Sequence, residues 1–201
     1  QAIADYLNNT YETNFKADNL YMTMGAAASL SIAFKALTSS PDDEIIAIAP
    51  FFPEYRVFVT AAGAKFNVVA PDTKNFQINF DEFEKLVNKN TKAVIINSPN
   101  NPSGAVYSEQ TIKKLADFLS KKSEEYGTHI FIITDEPYRE IVYDGVEVPY
   151  VTKYYNDTIV CYSYSKSLSL PGERIGFILV PDEAYESKKL YAAVCLGACK
   201  R

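Results

Sequence analysis

The chain has 201 residues, 47% hydrophobic and 22% charged, enough for one large domain with a substantial core. A net charge of −5 argues against a nucleic-acid surface or an anionic membrane partner, and no apolar run approaches the roughly 20 residues needed to span a bilayer. The first residues lack the basic and apolar regions of a secretory leader, and Cys161, Cys195 and Cys199 have no paired spacing, so a reducing, cytoplasmic setting is expected.

Ile3, Tyr6, Leu7 and Tyr11 repeat at helical spacing and predict a helix under way from the first residues. A strand over 20–24 then leads through Gly25-Ala26-Ala27-Ala28 into a helix over 26–37. A strand over 44–49 ends in Pro50-Phe51-Phe52-Pro53, followed by a helix over 54–62, a strand over 65–69 and a helix over 80–88. The strand over 93–97 closes in Asn97-Ser98-Pro99-Asn100-Asn101-Pro102-Ser103-Gly104. Ser108 is placed to cap a helix over 109–126 and Gly127 to close it, with Ile112, Leu115, Ala116 and Leu119 as its inward face. Strands over 129–134, 158–162 and 175–180 follow, then a helical pattern over 182–201. His129 at the start of one of these strands reads as structural, and Cys195 and Cys199, four apart on one helix, read as small packing residues.

Several strand runs are apolar on both faces, as buried strands covered by helices should be. The alternation therefore predicts an α/β fold with a mostly parallel seven-stranded sheet flanked by helices, forming a single domain over 1–201. Both ends look cut within structure, and the terminal Lys200-Arg201 is what a trypsin-like cleavage or a chosen boundary would leave.

Five stretches carry chemistry, each at the end of a strand. Lys166 lies in Ser163-Tyr164-Ser165-Lys166-Ser167, where its neighbours are expected to desolvate the amine and lower its pKa, as a Schiff-base lysine requires. The serines and Arg174 form a natural set of phosphate ligands. Small residues at Gly25, Ala26 and Ala27 let backbone N–H groups approach a phosphate at a helix N-terminus, although a plain strand-to-helix turn gives the same pattern. Phe52 can lie on a planar ring or pack in the core, and core packing suits Phe51 better. Asn101 sits in a loop stiffened by prolines and can donate to a ring oxygen; a simple turn is the alternative. Asp135, in Asp135-Glu136-Pro137-Tyr138, leaves the most apolar strand and needs a cationic partner such as a protonated pyridine nitrogen, unless it merely caps a helix.

In this order, these stretches resemble the large domain of the fold-type I, class I/II aminotransferases that depend on pyridoxal 5′-phosphate, over essentially the whole chain. The resemblance implies a three-layer α/β/α domain. It implies that Lys166 captures the cofactor aldehyde and moves a proton during the reaction, and that Asp135 keeps the ring nitrogen protonated. Asn101 and Tyr138 would bond the ring's phenolic oxygen, and Phe52 would stack on the ring. The phosphate would fall to the amides near Gly25, Ala26 and Ala27 with Ser163, Ser165 and Arg174.

The implied reaction moves an amino group between an amino acid and a 2-oxo acid, in a homodimeric full-length parent. A β-lyase or a cyclopropane-forming synthase would use the same cofactor, and a non-catalytic sensing module would bind it without turnover. The carboxylate-clamping arginine, the N-terminal arm and the partner subunit's phosphate-binding tyrosine of such enzymes have no counterpart in this sequence. Little transaminase activity is therefore expected of the chain alone.

Overall fold

The computed structural model describes residues 1–199, Cys199 by its backbone alone. The terminal Lys200-Arg201 pair and the side chain of Cys199, expected to pack, lie outside the described residues. Seven strands form one sheet: β1 (Leu20–Thr23), β2 (Glu44–Ile48), β3 (Lys65–Val69), β4 (Thr91–Asn97), β5 (Phe131–Asp135), β6 (Thr158–Ser163) and β7 (Gly176–Leu179). Their spatial order is β1-β7-β6-β5-β4-β2-β3, and only β7 runs against its neighbours β6 and β1. The mostly parallel sheet expected from the sequence is what forms.

Apolar residues on both sides of each central strand explain why the sheet is covered twice. Ile45, Ala47, Ala93, Ile95, Phe131 and Ile133 enter one buried cluster; Ile46, Ile48, Val94, Ile96 and Ile132 enter another on the opposite face. The first face is packed by α2 (Ala26–Leu37), α3 (Glu54–Ala62) and α7 (Ser187–Cys199), through Leu30, Ala33, Phe34, Tyr55, Val59 and Val194 among others. The second is packed by α4 (Phe80–Leu86) and α5 (Glu109–Tyr126), through Phe83, Ile112, Leu115 and Leu119. Ser108 Oγ accepts the Thr111 N–H at 3.1 Å and Gly127 closes α5 in the left-handed region, as its sequence predicts. The first helix, α1 (Ala2–Tyr11), sits over a smaller cluster containing Leu7, Phe15, Tyr150, Tyr162 and Phe177.

This topology selects one edge of the sheet. After β2 the chain crosses to β3 on the outside and then returns past β2 to β4, so the connections leave to either side of the β2–β4 gap. Beyond the carboxyl ends of strands at such a reversal, a crevice opens between diverging loops. Within the described residues, no helix is long and apolar enough to cross a membrane.

Candidate active site

A cavity of about 300 Å³ occupies that crevice. Its wall draws on the ends of four strands and the start of α2: Ala26 and Ala27, Phe52, Asn101, Asp135 with Tyr138, and Ser163 with Lys166 and Arg174. Stretches up to about 150 residues apart in sequence thus converge on one pocket. Gly25 lies behind Arg174 at the rim and does not itself line the cavity.

Asp135 is the last residue of β5, in register with Asn97 of β4 and Cys161 of β6. Its side chain is buried, and its two oxygens differ. Oδ2 accepts a 2.6 Å hydrogen bond from the Tyr55 hydroxyl, whereas Oδ1 is buried with no partner. Burial pushes the carboxyl up to about 7; the Tyr55 hydrogen bond opposes this and the nearby Glu136 charge adds to it. No helix follows Asp135, so the capping alternative falls. Glu136 turns away from the cavity into a buried pair with Arg139, whose Nη2 lies 2.6 Å from Glu136 Oε1.

Asn97 fixes the next wall. Its amide donates to the Asp135 carbonyl at 2.8 Å, and its oxygen accepts the Asn101 N–H at 2.6 Å. Asn100 ties the same loop back to the Pro50 carbonyl at 3.1 Å and accepts from Ser103 Oγ at 2.8 Å. The stretch does turn, over 101–103, and it is also bonded at several points and carries Asn101 next to Tyr138. Burial pushes the Tyr138 phenol up, with the Asp135 charge adding to the rise and the Asn101 side chain drawing it back. Phe52 meets Tyr55 edge-on at 5.7 Å between centroids, while Phe51 packs on Phe66 and Tyr55. Phe51 is a packing residue and Phe52 a cavity-lining one.

β6 runs one residue past its predicted end, and Ser163 caps a single helical turn, α6 (Tyr164–Ser167), that the sequence reading did not anticipate. Ser163 Oγ accepts the Ser165 N–H at 3.2 Å and donates to Ser165 Oγ at 2.8 Å. This turn carries Lys166, whose Nζ lies 6.0 Å from the Tyr138 ring centroid. One expectation needs correction: Lys166 is exposed, so its neighbours within this chain do not desolvate the amine. The physical reason is that α6 follows the end of β6 and leads into the segment 168–175, which is itself exposed and does not cover the amine.

Arg174 reaches the start of α2, donating to the Pro171 carbonyl at 3.1 Å and the Met24 carbonyl at 3.4 Å. Two glycines make that approach possible. A Cβ on Gly25 would fall 2.6 Å from Arg174 Nη2, and one on Gly176 would fall 2.4 Å from the Tyr162 carbonyl and 2.9 Å from Gly25 Cα. The first N–H groups of α2, at Ala26 and Ala27, have no acceptor within the helix and carry the positive end of its dipole. The guanidinium and these amides thus line the same cavity. Among the described residues, neither Lys166 nor Arg174 is paired with a carboxylate.

These features fit pyridoxal 5′-phosphate: an unpartnered buried carboxylate oxygen for a ring N–H, an amine for an aldehyde, and an anion cradle for the phosphate. Sequence reading missed Leu30, Asn97, Glu54, Pro137 and Pro171 in the wall, and Tyr55 behind it, bonded to Asp135. Tyr55, Val59 and Ala62 share the inward face of α3, so Tyr55 looked like ordinary core; no local signal reports a partner 80 residues away. His129 lies outside the cavity, bonded to Asp157 at 2.8 Å and stacked on Tyr185.

The family model described as aminotransferase class I and II matches residues 1–195. A probable N-acetyl-LL-diaminopimelate aminotransferase of Bacillus subtilis is 32% identical over 91% of this chain and 45% of its own length. An aspartate aminotransferase of Pyrococcus horikoshii is 32% identical over 96% of this chain and 49% of its own. Among solved structures, an amino transferase from Eubacterium rectale superposes with a TM-score of 0.98 at 69% identity, covering 98% of this chain and 50% of that one. An aspartate aminotransferase from Thermotoga maritima gives 0.87 at 31%, with the same coverage. The chain spans about half the length of the curated relatives it matches.

Proposed function

The chain belongs to the aminotransferase class I and II family, whose members use pyridoxal 5′-phosphate, and we propose that it is the cofactor-binding large domain of an enzyme transferring an amino group between an amino acid and a 2-oxo acid. The observation that carries this reading is the unpartnered Asp135 oxygen in the wall of the cavity that also holds Lys166 and the Arg174 cradle. An orphaned, buried carboxylate oxygen is costly unless a cation meets it. When bound, pyridoxal 5′-phosphate supplies an aldehyde and an electron-withdrawing ring that stabilises negative charge at the substrate Cα.

The chain's own groups then have separable tasks. Asp135 Oδ1 holds a proton on the ring nitrogen. Lys166 Nζ would hold the cofactor through its aldehyde and would move a proton at the substrate Cα. Asn101 and Tyr138 bond the ring oxygen, Phe52 covers one ring face, and the Ala26 and Ala27 amides behind Gly25 hold the phosphate with Ser163, Ser165 and Arg174. The full-length protein is read as a homodimer that works in the cytoplasm, and the isolated chain as a cofactor binder with little turnover.

Absorbance titration tests the assignment. Adding pyridoxal 5′-phosphate to the chain should produce a near-visible band that is absent in Lys166→Ala. Borohydride reduction and peptide mapping should place the trapped adduct on Lys166; an adduct on another lysine, or none, would refute it. On the full-length protein, a new amino acid with a keto acid as products supports transamination, whereas free ammonia, pyruvate and thiol would overturn it in favour of a lyase.

A further inference from the structure

We infer that Tyr55 is a positioning residue for the ring-binding carboxylate: its hydroxyl holds Asp135 Oδ2 so that Oδ1 alone remains unpartnered in the cavity wall. The inference rests on the cofactor reading above and assigns a task to a residue outside the reactive set.

The geometry is specific. The torsion that rotates a carboxylate about its terminal bond is broad and roughly two-fold, so an untethered Asp135 could present either oxygen, or neither, at the right angle. Tyr55 sits on the first turn of α3, and at 1% exposure its ring cannot swing away. It is wedged between Phe51, stacked at 6.4 Å, and Phe52, edge-on at 5.7 Å. A 2.6 Å O–H···O contact from so fixed a donor removes the rotational freedom of the acceptor. Phe52, which lines the cavity, and the hydroxyl that orients Asp135 are thus set by one aromatic contact.

The tether also bears on ionisation. The titratable groups facing Asp135 are Tyr55 from α3, Cys161 from β6, and Glu136 and Tyr138 from its own segment. β4 contributes the neutral Asn97, bonded to the Asp135 main chain. The Glu136 charge is opposed by Arg139, which leaves the Tyr55 hydroxyl as the one group of this set that stabilises the ionised carboxylate. Without it, the same burial would hold Asp135 protonated further into the neutral range, where it no longer attracts a ring N–H.

Carbon-13 NMR of aspartate-labelled chain without cofactor, with the Asp135 resonance identified by Asp135→Asn, reads this directly. Tyr55→Phe should raise the Asp135 midpoint by about one pH unit and weaken pyridoxal 5′-phosphate binding about tenfold by absorbance titration. Tyr155→Phe is the control, because that hydroxyl bonds the Ile130 carbonyl, at 2.7 Å, and the Ser123 side chain, neither of which lines the cavity; it should lower stability without moving the midpoint. A measurement on the unmutated chain covers the case in which Tyr55→Phe does not fold. The Tyr55 Cζ resonance should titrate with the Asp135 midpoint and lose that inflection in Asp135→Asn. A Tyr55 Cζ that is flat across the Asp135 titration, or a midpoint unmoved by Tyr55→Phe while the unmutated chain binds cofactor, overturns the role of Tyr55 alone. Absence of cofactor binding by the unmutated chain overturns the proposed function, and this inference with it.

Discussion

Asp135 is the residue whose environment is most at odds with its chemistry, and that conflict has a measurable sign. Its ordinary value lies near 3.8, and burial brings it to about 7 in the folded chain. Between those values the unfolded chain holds fewer protons than the folded one, so stability is greatest at the acidic end, falls as pH rises through this window, and levels off above it. From pH 5 to pH 8 this group should remove on the order of 3 kcal/mol. Urea unfolding of the chain and of Asp135→Asn at both pH values isolates it from the other carboxylates. The difference between the two proteins should change by that amount in favour of Asp135→Asn at the higher pH. A constant difference would mean that Asp135 ionises freely in the fold.

Gly25 gives a second residue-scale prediction. Its backbone, at φ 81° and ψ 174°, occupies a region essentially reserved for glycine, and a Cβ there would press on the Arg174 guanidinium. Gly25→Ala should therefore cost about 1–3 kcal/mol in urea unfolding and also displace Arg174. The informative readout is inorganic phosphate as a competitor of pyridoxal 5′-phosphate: its inhibition constant should rise in Gly25→Ala and stay unchanged in a substitution remote from the cradle.

At the scale of elements, periodicity and punctuation were enough to locate the sheet and its main covering helices. The helices over 26–37, 54–62 and 109–126 coincide with those formed, because each starts directly after a glycine, a proline or a capping serine, and the strand over 65–69 coincides as well. Ends without such punctuation drifted by a residue or two: β4 starts at Thr91 rather than at 93, and β5 at Phe131 rather than at 129. What could not be read was which strands lie side by side. The antiparallel insertion of β7 between β6 and β1 depends on Gly176 admitting the Gly25 turn, a contact between positions 151 residues apart. The site was legible where strand ends carry unusual residues, as at Asp135 and Lys166. It was illegible where a residue of ordinary type bonds a group in the wall, as Tyr55 does among the core aromatics. Element boundaries also make a prediction. Ser108→Ala removes the cap on the Thr111 N–H and should destabilise the chain by about 1 kcal/mol. Because α5 covers the face away from α2 and α3, cofactor affinity should not change.

Across the whole molecule, one buried ion pair joins the site to the periphery. Glu136 and Arg139 are almost fully buried, at 1% and 5%. Thr134 Oγ1 donates to Glu136 Oε1 at 2.9 Å, so the pair is anchored on β5 immediately behind Asp135. Arg139 donates two further N–H groups to the Val148 and Pro149 carbonyls and lies 4.9 Å from the centroid of Tyr150, which stacks on Tyr11 of α1. The guanidinium therefore fastens the loop over 139–150 and the first helix to the strand that ends in the cavity. Buried pairs of this kind are weak sources of net stability, but losing one partner strands the other charge. Arg139→Met should cost about 3–5 kcal/mol in urea unfolding, and the double change Glu136→Gln with Arg139→Met should recover much of it, because no unpaired charge then remains. The two variants separate charge from tether. If α1 and the loop are held mainly by the guanidinium, amide exchange at Leu7 and Tyr150 should stay fast in the double variant even after global stability returns. Slow exchange there would show that the Tyr11–Tyr150 stack and the apolar contacts of α1 suffice without it.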